Sequence, residues 1–564
     1  MLSKSSFCVI AAIAGLGVET SRARVPHSPR RDECCRKTTV AILGAGMAGI
    51  TAAQALSNAS ISDFVIIEYQ GAIGGRAHHT KFGAQKDGTP YTVELGANWI
   101  QGLGHPGGPG ELQMRHFPAK TAANMVVENP VWTFSKKHNL KNTFSNYSSI
   151  LTYNETGYAD YSHLLNVYGE ASDSMTVEAG RLLAENLQDQ SARSGLALAG
   201  WNPKHGNMAA QAVEYWSWDW ETSLPPEESS MIFGTAGNNL TFKQFSDENN
   251  FVIDPRGVSA IIDGEAATFL KPNDHRLLLN TKVTNVSYTE TGVTVHNEDG
   301  SCVSAAYALC TFSLGVLQND VVKFSPELPR WKKTALQKFS MGTYTKIFFQ
   351  FNETFWPEDT QYLIYASPTT RGHYPVWQSL STEGFMPGSN IIFATVTNDE
   401  SFRIEQQSDD QTKEEALQVL RLMFPDKKIP EPTAFMYPRW TKTPWSYGSY
   451  SNWPIGTTLE MHQNLRANVD RLWFAGEAIS AEYFGFLHGA WFEGREAGEQ
   501  VAGLLQHRCV KIYNGQEQCG TRPHYEKLYG TSPLEHYNLL NGWATSSFYA
   551  SKAKRNNRAT VYNK

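Results

Sequence analysis

The sequence lacks three features that would assign it to other classes of protein. It has no excess of basic residues: 49 lysines and arginines stand against 55 aspartates and glutamates, and the net charge of −6 argues against a general nucleic-acid binder. Beyond the N-terminus, no segment reaches the roughly 18 consecutive apolar residues of a membrane-spanning helix, so we predict no membrane anchor. No cluster of cysteines and histidines has the spacing of a zinc site, and we predict no bound metal.

The N-terminus carries the pattern of a secretory signal peptide over residues 1–23. Lys4 precedes the apolar stretch FCVIAAIAGLGV, which is too short to span a bilayer and is followed by small and polar residues. We therefore expect a protein that is secreted or resides in the secretory pathway. Asn-x-Ser/Thr sequons agree with export and predict a glycoprotein; they begin at Asn58, Asn146, Asn154, Asn239, Asn285 and Asn352.

The cysteines suggest one disulfide. Cys509 and Cys519 flank the short polar loop VKIYNGQEQ and can pair in an oxidising compartment. The sequence leaves open the state of the other cysteines that follow the predicted signal peptide, which are Cys34, Cys35, Cys302 and Cys310.

The chain has 564 residues, which is too long for one hydrophobic core, so we expect two or more domains. Near the N-terminus, TTVAILGAGMAGITAAQALSN changes from an apolar strand through glycines into a helix, and DFVIIE predicts the next strand of a βαβ unit. Later, NTKVTNVSYTETGVTVHNEDGSCVSAAYALCTF predicts consecutive strands, whereas MAAQAVEYWSWDWE, RWKKTALQKF and DDQTKEEALQVLRLMF predict helices. After Cys519 no periodicity remains, and we expect partial disorder there.

The glycines of the βαβ unit predict a dinucleotide site. Gly44, Gly46 and Gly49 form G-x-G-x-x-G between a strand and a helix, and Glu68 ends the next strand. The first glycine permits the tight turn, the second a close approach of the pyrophosphate, and the third close packing of helix on strand. The phosphates then meet the helix N-terminus, and Glu68 accepts hydrogen bonds from the ribose.

Two further elements favour FAD over NAD. Gly74, Gly75 and Arg76 follow Glu68 and supply a second close backbone approach with a guanidinium, which suits a second diphosphate contact. At the far end of the chain, a strand leads through Glu477 into a helix predicted to begin near Gly489. That carboxylate can bind ribityl hydroxyls, and the helix N-terminus can face the flavin.

One lysine interrupts a predicted apolar strand. TYTKIFFQF, residues 343–351, is rich in β-branched and aromatic residues and contains Lys346. The simplest interpretation is that Lys346 points to water from the alternate face of the strand.

Taken together, these motifs resemble those of the flavin-containing amine oxidases, the monoamine and polyamine oxidase family, and are most similar to secreted fungal and plant polyamine oxidases. The resemblance covers roughly Val40 to Leu505 and rests on GAGMAGI, GGR, ELGANWIQG, YTKIFFQF, GSYSNWPIG and GEAISAEYFGFLHGA. It implies a mixed α/β fold, with a Rossmann-like FAD-binding domain interleaved with a mixed-sheet substrate domain. The FAD-binding domain is predicted at 36–115, 232–327 and 453–508, the substrate domain at 116–231 and 328–452, and a C-terminal tail at 509–564.

The resemblance also implies roles for individual residues. Lys346 would be buried, with a lowered pKa, and would hold a water near flavin N5. Trp99 would lie beside the flavin cavity, and the rings of Tyr450 and Phe486 would flank the substrate amine. The residues implied to bind FAD are Glu68, Arg76, Val283 and Glu477. Because YGSYSN has no cysteine where monoamine oxidases attach the flavin, we predict non-covalent FAD.

This sequence departs from the family pattern in two places. Gln101 occupies a position where plant polyamine oxidases carry a carboxylate, so recognition of the substrate end is expected to differ. Glu221 can supply a carboxylate to the substrate tunnel, or it can be a surface charge on a helix. The second departure is the stretch 104–127, which is longer than the corresponding family loop and is either an extended surface loop or a gene-model error.

The function implied is a polyamine oxidase: FAD and O₂ oxidise a C–N bond of spermine, spermidine or an acetylated polyamine, giving an aldehyde, a smaller amine and H₂O₂. The first alternative is an oxidase for an L-amino acid or a monoamine, but an amino acid needs an arginine clamp, and no motif supplies one. A non-catalytic FAD-binding protein would not need Lys346 and the aromatic pair, and a dehydrogenase that uses NAD(P)H would need a second glycine motif. The sequence leaves open the preferred polyamine and the oligomeric state.

Overall fold

The computed structural model describes residues 35–104, 128–238, 241–242, 245–511, 517–528 and 530. The predicted signal peptide, the stretch 105–127, Cys34, the sequon at Asn239 and the end of the chain beyond 530 lie outside the described residues.

The strands, in chain order, are β1 Arg36–Leu43, β2 Phe64–Ile67, β3 His79–Phe82, β4 Tyr91–Glu94, β5 Trp99–Gln101, β6 Asn142–Phe144, β7 Ile150–Asn154, β8 Gly157–Tyr158, β9 Asn249–Val252, β10 Leu277–Leu278, β11 Val283–Tyr288, β12 Val293–Asn297, β13 Cys302–Cys310, β14 Lys323–Ser325, β15 Ser340–Met341, β16 Tyr344–Gln350, β17 Tyr362–Ala366, β18 Val376–Ser379, β19 Ile391–Thr397, β20 Ala434–Met436, β21 Ser451–Asn452, β22 Leu472–Phe474, β23 Val510–Lys511 and β24 Glu517–Gln518.

The α-helices are α1 Met47–Asn58, α2 Pro130–Lys137, α3 His163–Ala184, α4 Ala192–Leu198, α5 Met208–Glu214, α6 Trp220–Thr222, α7 Met231–Asn238, α8 Ser259–Ala266, α9 Leu314–Gln318, α10 Arg330–Lys338, α11 Asn398–Glu405, α12 Asp409–Met423, α13 Leu459–Arg466 and α14 Leu487–Leu505. A π-helix, Tyr215–Asp219, joins α5 to α6, and short 3₁₀ turns occupy Trp440–Lys442 and Glu477–Ile479.

The first large sheet carries the predicted dinucleotide motif. Its strand order is β10-β2-β1-β13-β12-β11-β14, and β22 also pairs with β13. Five strands, β10, β2, β1, β13 and β22, run parallel, and their carboxyl ends lie on one edge of the sheet. Ligands bind at this edge in open α/β sheets, and Gly44, Glu68 and Glu477 all follow the strands that end there.

Two segments that are far apart in the sequence meet at the helix that follows the glycine motif. α14 packs along α1, and glycines on α14 allow the close approach. A Cβ on Gly494 would lie 2.2 Å from the Ala48 carbonyl oxygen, and one on Gly498 would lie 2.6 Å from that of Ala52. Backbone atoms cannot move aside, so only glycine fits at this crossing, and the C-terminal helix fixes the position of α1.

The second large sheet contains the strand of Lys346. Its order is β20-β16-β19-β18-β17-β7-β8, with one parallel pair, β17 and β7, in an otherwise antiparallel arrangement. All seven residues of β16 are buried, so the solvent-facing interpretation of Lys346 is wrong. The cause is that β16 lies between β19 and β20, with packed side chains on both faces.

The predicted βαβ unit, the consecutive strands β11 to β13 and the helices α10 and α12 are confirmed, and the fold is mixed α/β. The described residues contain two disulfides. Cys509 pairs with Cys519 as suggested, and Cys35 pairs with Cys302, which joins β13 to the residue before β1. Cys310 is free and buried. In the described part of the chain, no helix is both long enough and apolar enough to cross a membrane.

Candidate active site

The glycine turn leaves space where a ligand can approach the backbone. Gly44 has a φ of +109°, which favours glycine, and a Cβ there would lie 2.6 Å from the Thr311 hydroxyl. Gly46 is different: a Cβ at this position would meet no protein atom closer than 3.7 Å, so its missing side chain leaves room for something other than protein. α1 begins directly after Gly46 without a side-chain cap, which leaves its first N–H groups for an anion.

Glu68 ends β2 and is tied to the glycine turn. Its carboxylate accepts from the Ala45 N–H at 2.7 Å and from the Gln70 N–H at 2.8 Å. Burial raises its pKa above the ordinary glutamate value, and these backbone bonds oppose that effect. The two bonds fix the carboxylate beside the turn, where a dinucleotide-binding motif places its ribose-binding acid.

Arg76 and Glu477 form a direct ion pair, which the sequence did not predict. The guanidinium donates to Glu477 Oε1 at 2.8 Å and to the Ser449 carbonyl at 3.0 Å. The other oxygen of Glu477 accepts from the Ser451 hydroxyl at 2.6 Å and from the Gly485 N–H at 2.8 Å. This network joins segments from both ends of the chain, and both charged side chains line the same cavity.

Lys346 is held by a set of three acceptors that we call the lysine cradle: the main-chain oxygens of Glu94 and Gly96 and the side-chain oxygen of Asn98. The Nζ distances are 3.1, 2.8 and 3.3 Å, in that order. The ammonium also lies 5.0 Å from the centre of the Trp99 ring, within cation–π range. Lys346 is 1% exposed and lines the cavity.

Burial lowers the pKa of Lys346 below the ordinary lysine value, and the nearby Glu94 carboxyl opposes this effect. The Glu94 carboxyl is itself buried, and burial raises its pKa, while the Val258 N–H, which donates to it at 2.5 Å, opposes the rise. The pKa values of Lys346 and Glu94 therefore lie closer together than those of an ordinary lysine and glutamate.

Glu221 faces the cavity and is not a surface charge on a helix. Its Oε1 accepts from the Gln101 amide at 3.0 Å, and its main-chain oxygen accepts from the Tyr450 hydroxyl at 2.9 Å. Burial raises the pKa of Glu221 to about 8, with the Gln101 contact opposing the shift. The structure thus joins Gln101, Glu221 and Tyr450 in one cluster.

Aromatic rings form much of the remaining wall. Trp99 makes edge contacts with Trp220 at 5.3 Å between ring centres, and Tyr344 lies 5.9 Å from Tyr450. Phe486 precedes α14 and stacks on His488, with the ring centres 5.1 Å apart. Such rings confine a thin aliphatic chain and exclude water.

These groups line a single cavity of about 520 Å³. Of the residues predicted for the site, the structure brings twelve to this cavity: Gly44, Gly46, Glu68, Gly75, Arg76, Trp99, Gln101, Val283, Lys346, Tyr450, Glu477 and Phe486. The exception is Gly49, where a Cβ would lie 2.0 Å from the Gly44 carbonyl oxygen; this agrees with the packing role predicted for the third glycine.

Sequence reasoning missed Asn98 and Tyr344. Tyr344 stands two residues before Lys346 on β16, and the two-residue period of a strand puts both on one face, so the signal was available. Asn98 lies in the quoted motif ELGANWIQG, but no periodicity shows that its side chain reaches Lys346.

A dinucleotide-binding turn, two carboxylates at strand ends and a buried lysine in one aromatic-walled cavity define a flavin-dependent oxidoreductase. The model of the family described as flavin containing amine oxidoreductase matches residues 47–502. The chain belongs to this family.

Individual relatives agree with that assignment. Polyamine oxidase 1 from Zea mays is 37% identical over 493 residues, which cover 84% of this chain and 92% of that protein. Polyamine oxidase 7 from Oryza sativa subsp. japonica is 37% identical over 473 residues, or 81% and 93% of the two chains. A solved structure of putrescine oxidase bound to putrescine is similar in fold, with a TM-score of 0.61 at 18% identity over 84% of this chain and 99% of that one.

The cofactor is FAD, and the residues present fit it. The open position at Gly46, the uncapped start of α1 and the fixed Glu68 carboxylate suit the adenosine and phosphate end. FAD, when bound, accepts the electrons of an oxidised amine and passes them to O₂. The protein supplies binding, orientation and a dry cavity around it.

Proposed function

We propose that this protein is an FAD-dependent polyamine oxidase that uses O₂ and releases an aldehyde, a smaller amine and H₂O₂. The observation that carries the proposal is the charge of the cavity. Apart from the nucleotide-binding acids and the engaged Arg76, the charged groups among the described lining residues are Glu221, Lys346 and Lys282. Lys282 stands next to Val283, a residue implied to bind FAD, at the start of β11. Of these three charged residues, Glu221 and Lys346 are therefore the two that face a substrate.

Glu221 gives the cavity an acidic group that a polyammonium substrate can pair with. Its carboxyl is fixed on one oxygen by Gln101, and its main chain is held by Tyr450. A cation that enters the cavity stabilises the ionised form of this carboxyl and lowers its pKa from about 8. We assign Glu221 to the recognition of a charged amine, and Gln101 to the orientation of that carboxyl.

Lys346, Trp99, Tyr450 and Phe486 are assigned to the reacting part of the cavity. The rings of Tyr450 and Phe486 confine the substrate chain. Lys346 acts in the reaction of reduced flavin with O₂. Glu68, Arg76, Val283 and Glu477 are assigned to FAD binding. We further propose non-covalent FAD, because residues 447–452, YGSYSN, contain no cysteine; flavin released by acid precipitation would support this, and flavin retained on the chain would contradict it.

The alternative substrates fit this cavity less well. The carboxylate of an L-amino acid needs a free guanidinium. Among the described residues that line the cavity, Arg76 is the single arginine, and it already donates to Glu477 and Ser449. A monoamine has a single amino group, which is the group oxidised. It therefore has no second cation that could pair with Glu221.

One assay tests the proposal. Purified protein is mixed with a panel of polyamines, acetylated polyamines, monoamines and L-amino acids, and the peroxide, aldehyde and amine products are identified. We expect turnover with polyamines, and bleaching of the flavin by the same amines without oxygen. Turnover confined to amino acids or to monoamines would contradict the proposal, as would a flavin that no amine reduces.

We propose that the protein is exported and carries N-linked glycans. The disulfides Cys35–Cys302 and Cys509–Cys519 support an oxidising compartment. Asn58 and Asn352 are exposed, whereas Asn285 lies in β11 between two partner strands and donates to Ser325. Expression with a secretory host should give glycans at Asn58 and Asn352, read by mass spectrometry after enzymatic deglycosylation; an intracellular, unmodified protein would count against export.

The interleaved domain division is also proposed. The two large sheets support it, since their strands come from alternating parts of the chain. Limited proteolysis should leave the segments of each predicted domain associated after cleavage, and separation of the cut segments would argue against the boundaries.

A further inference from the structure

The lysine cradle uses the complete hydrogen-bonding capacity of an ammonium group. Lys346 has three N–H bonds when charged, and the structure supplies three acceptors within 3.3 Å. Two of these are main-chain oxygens, from Glu94 and Gly96. The third, and the longest contact, is the side-chain oxygen of Asn98, the one member of the cradle that substitution can remove.

The orientation of the Asn98 amide is fixed by β9. Its Nδ2 donates to the Val252 carbonyl at 3.1 Å, and its own main-chain carbonyl accepts from the Val252 N–H at 2.9 Å. Since the amide nitrogen is engaged with β9, the oxygen has to face Lys346. Asn98 is 3% exposed, so water does not compete freely for either atom.

The main-chain part of the cradle is anchored beside Arg76, in the segment predicted to make the second contact with the diphosphate. Ala97 donates its N–H to the Arg76 carbonyl at 3.3 Å, and a Cβ on Gly96 would lie 1.8 Å from that same oxygen. Residues 94–98 are therefore packed closely against Arg76, and Lys346 is held by a part of the chain that is itself fixed in position.

We propose that Asn98 is the positioning residue of Lys346: its side-chain oxygen holds the third N–H of the ammonium and competes for it with a small molecule in the cavity. A charged Lys346 can donate to water or to an oxygen species only when one of the three contacts is released, and the Asn98 contact, at 3.3 Å the longest of the three, is the one released most easily. The consequence for flavin reoxidation rests on the proposed function; the contact with Lys346 does not.

Few charged groups act on Lys346 from the elements around it. The buried Glu94 carboxyl on β4 is the charged neighbour among the described residues, and Asp254, after β9, acts in turn on Glu94. β19, β20 and Trp99 on β5 contribute no charge to it. A carboxylate introduced at position 98 would therefore add a second negative group next to Lys346.

The test uses two substitutions with opposite expected effects. Asn98→Asp keeps the shape and adds a negative charge beside the ammonium, whereas Asn98→Leu removes the acceptor. We expect the pH midpoint at which the absorbance of the bound flavin titrates to rise in Asn98→Asp and to fall in Asn98→Leu, each by about one pH unit. Reduction by amine should change little, while the rate of reoxidation by O₂ should follow the shifted midpoint.

Asn249 provides a matched control. It is also 3% exposed, its side-chain oxygen also accepts a hydrogen bond, from Gly102, and its amide also donates to a carbonyl, that of Asp247. Asn249→Asp and Asn249→Leu should leave the midpoint unchanged, and Lys346→Met should abolish the titration. If Asn98→Leu loses FAD, the two Asp variants still decide the question.

The proposal is overturned if Asn98→Asp leaves the midpoint in place, if both Asn98 variants shift it in one direction, or if Asn249→Asp shifts it equally. These spectra require bound FAD but no turnover. A protein that oxidises no polyamine would thus refute the proposed function and still give a result for Asn98.

Discussion

At the scale of single residues, two lysines of the described chain are buried, and each has three hydrogen-bond acceptors in different surroundings. Lys332 is fully buried on α10 and donates to the carbonyls of Asn464, Leu465 and Ala467 at the end of α13. It thereby satisfies main-chain oxygens that a helix end leaves unpaired. Lys346 also has three acceptors but lines the cavity. Burial and hydrogen bonding alone therefore do not distinguish a structural lysine from a functional one.

This pair allows a matched test of Lys346. Lys346→Met should keep its FAD and be reduced by amine at a similar rate, but its reoxidation by O₂ should slow on the order of tenfold or more, about 1.4 kcal/mol in the barrier. Lys332→Met should instead lose about 3 kcal/mol of stability, because three buried carbonyls lose their donor. Stopped-flow absorbance measures the two half-reactions, and denaturant unfolding measures the stability. Normal reoxidation in Lys346→Met would refute the role assigned to it.

Glu221 should give substrate binding a pH dependence. Burial raises its pKa to about 8, so below pH 8 the carboxyl of the free enzyme is mostly protonated and attracts a cation weakly. The apparent affinity for a polyamine should therefore increase as pH rises through about 8. In Glu221→Gln we expect this increase to disappear, with KM at pH 9 raised about tenfold, or 1.4 kcal/mol, and KM at pH 6 little changed.

Glu228 is the control for this prediction, because it is an exposed acid that follows α6 by a few residues and does not line the cavity. Glu228→Gln should leave the profile of KM against pH as it is. An equal effect of Glu221→Gln at pH 6 and pH 9 would show that the carboxyl does not act through its charge.

Of the thirteen site residues predicted from the sequence, twelve line the cavity, because each stands in a local motif. It failed where the contact depends on distant segments. Arg76 and Glu477 are 401 residues apart, and nothing in either motif shows that they pair. Glu221 stayed ambiguous because the π-helix before it shifts the helical register, which sequence periodicity cannot reveal.

At the scale of elements, the contact between α1 and α14 determines how the glycine turn is presented to FAD. In Gly494→Ala, the new Cβ would collide with the Ala48 carbonyl in the first turn of α1. We expect a loss of about 3 kcal/mol in stability together with weaker FAD binding, since α1 must move. Denaturant unfolding and FAD titration of the apoprotein measure the two effects.

Gly169 is the control, because it also lies inside a helix, α3, but a Cβ there would meet nothing within 4 Å. Gly169→Ala should leave FAD binding unchanged and stabilise the protein by up to about 1 kcal/mol, the difference in helix propensity. If Gly494→Ala behaved in the same way, the glycine would not be required by the helix contact.

Strands and helices with a strong period were predictable, and their boundaries less so. β16, α10 and α12 lie where the pattern placed them, whereas α14 begins at Leu487, just before the predicted Gly489. MAAQAVEYWSWDWE was predicted as one helix, but the structure divides it into α5, a π-helix and α6. The bulge brings Trp216 and Trp220 into a stack with ring centres 4.7 Å apart, a tertiary contact that local propensity does not contain.

At the scale of the whole molecule, residues 520–528, which follow Cys519, bind back onto the dinucleotide-binding part of the fold. The sequence predicted partial disorder for the tail after Cys519, and most of that tail lies outside the described residues. In the described part, Arg522 is 3% exposed. Its guanidinium donates to the carbonyls of Arg466 and Phe474 and to the side chains of Glu496 and Gln500. A polar segment without periodicity gives no sign of such an anchor, because its partners lie on α13, β22 and α14.

Arg522 completes a buried cluster of four charges. Arg466 and Arg522 face Glu493 and Glu496, with nitrogen–oxygen distances of 3.0 to 3.5 Å. In Arg522→Met, two acids would share one arginine in a site that excludes water. Removing one partner of a buried charge pair is strongly destabilising, so we expect a loss of about 3 to 5 kcal/mol.

The prediction for Arg522 has a matched control in Arg508, which is exposed and donates to the Gln506 side chain. Arg508→Met should change stability by less than about 0.5 kcal/mol, as surface substitutions usually do. Because Glu493 and Glu496 lie on α14, which packs on α1, the Arg522→Met variant should also release FAD at a lower denaturant concentration than the parent. Both variants could instead unfold cooperatively at the same denaturant midpoint as the parent protein and retain FAD. That result would show that Arg522 does not stabilise the cofactor-binding part of the molecule.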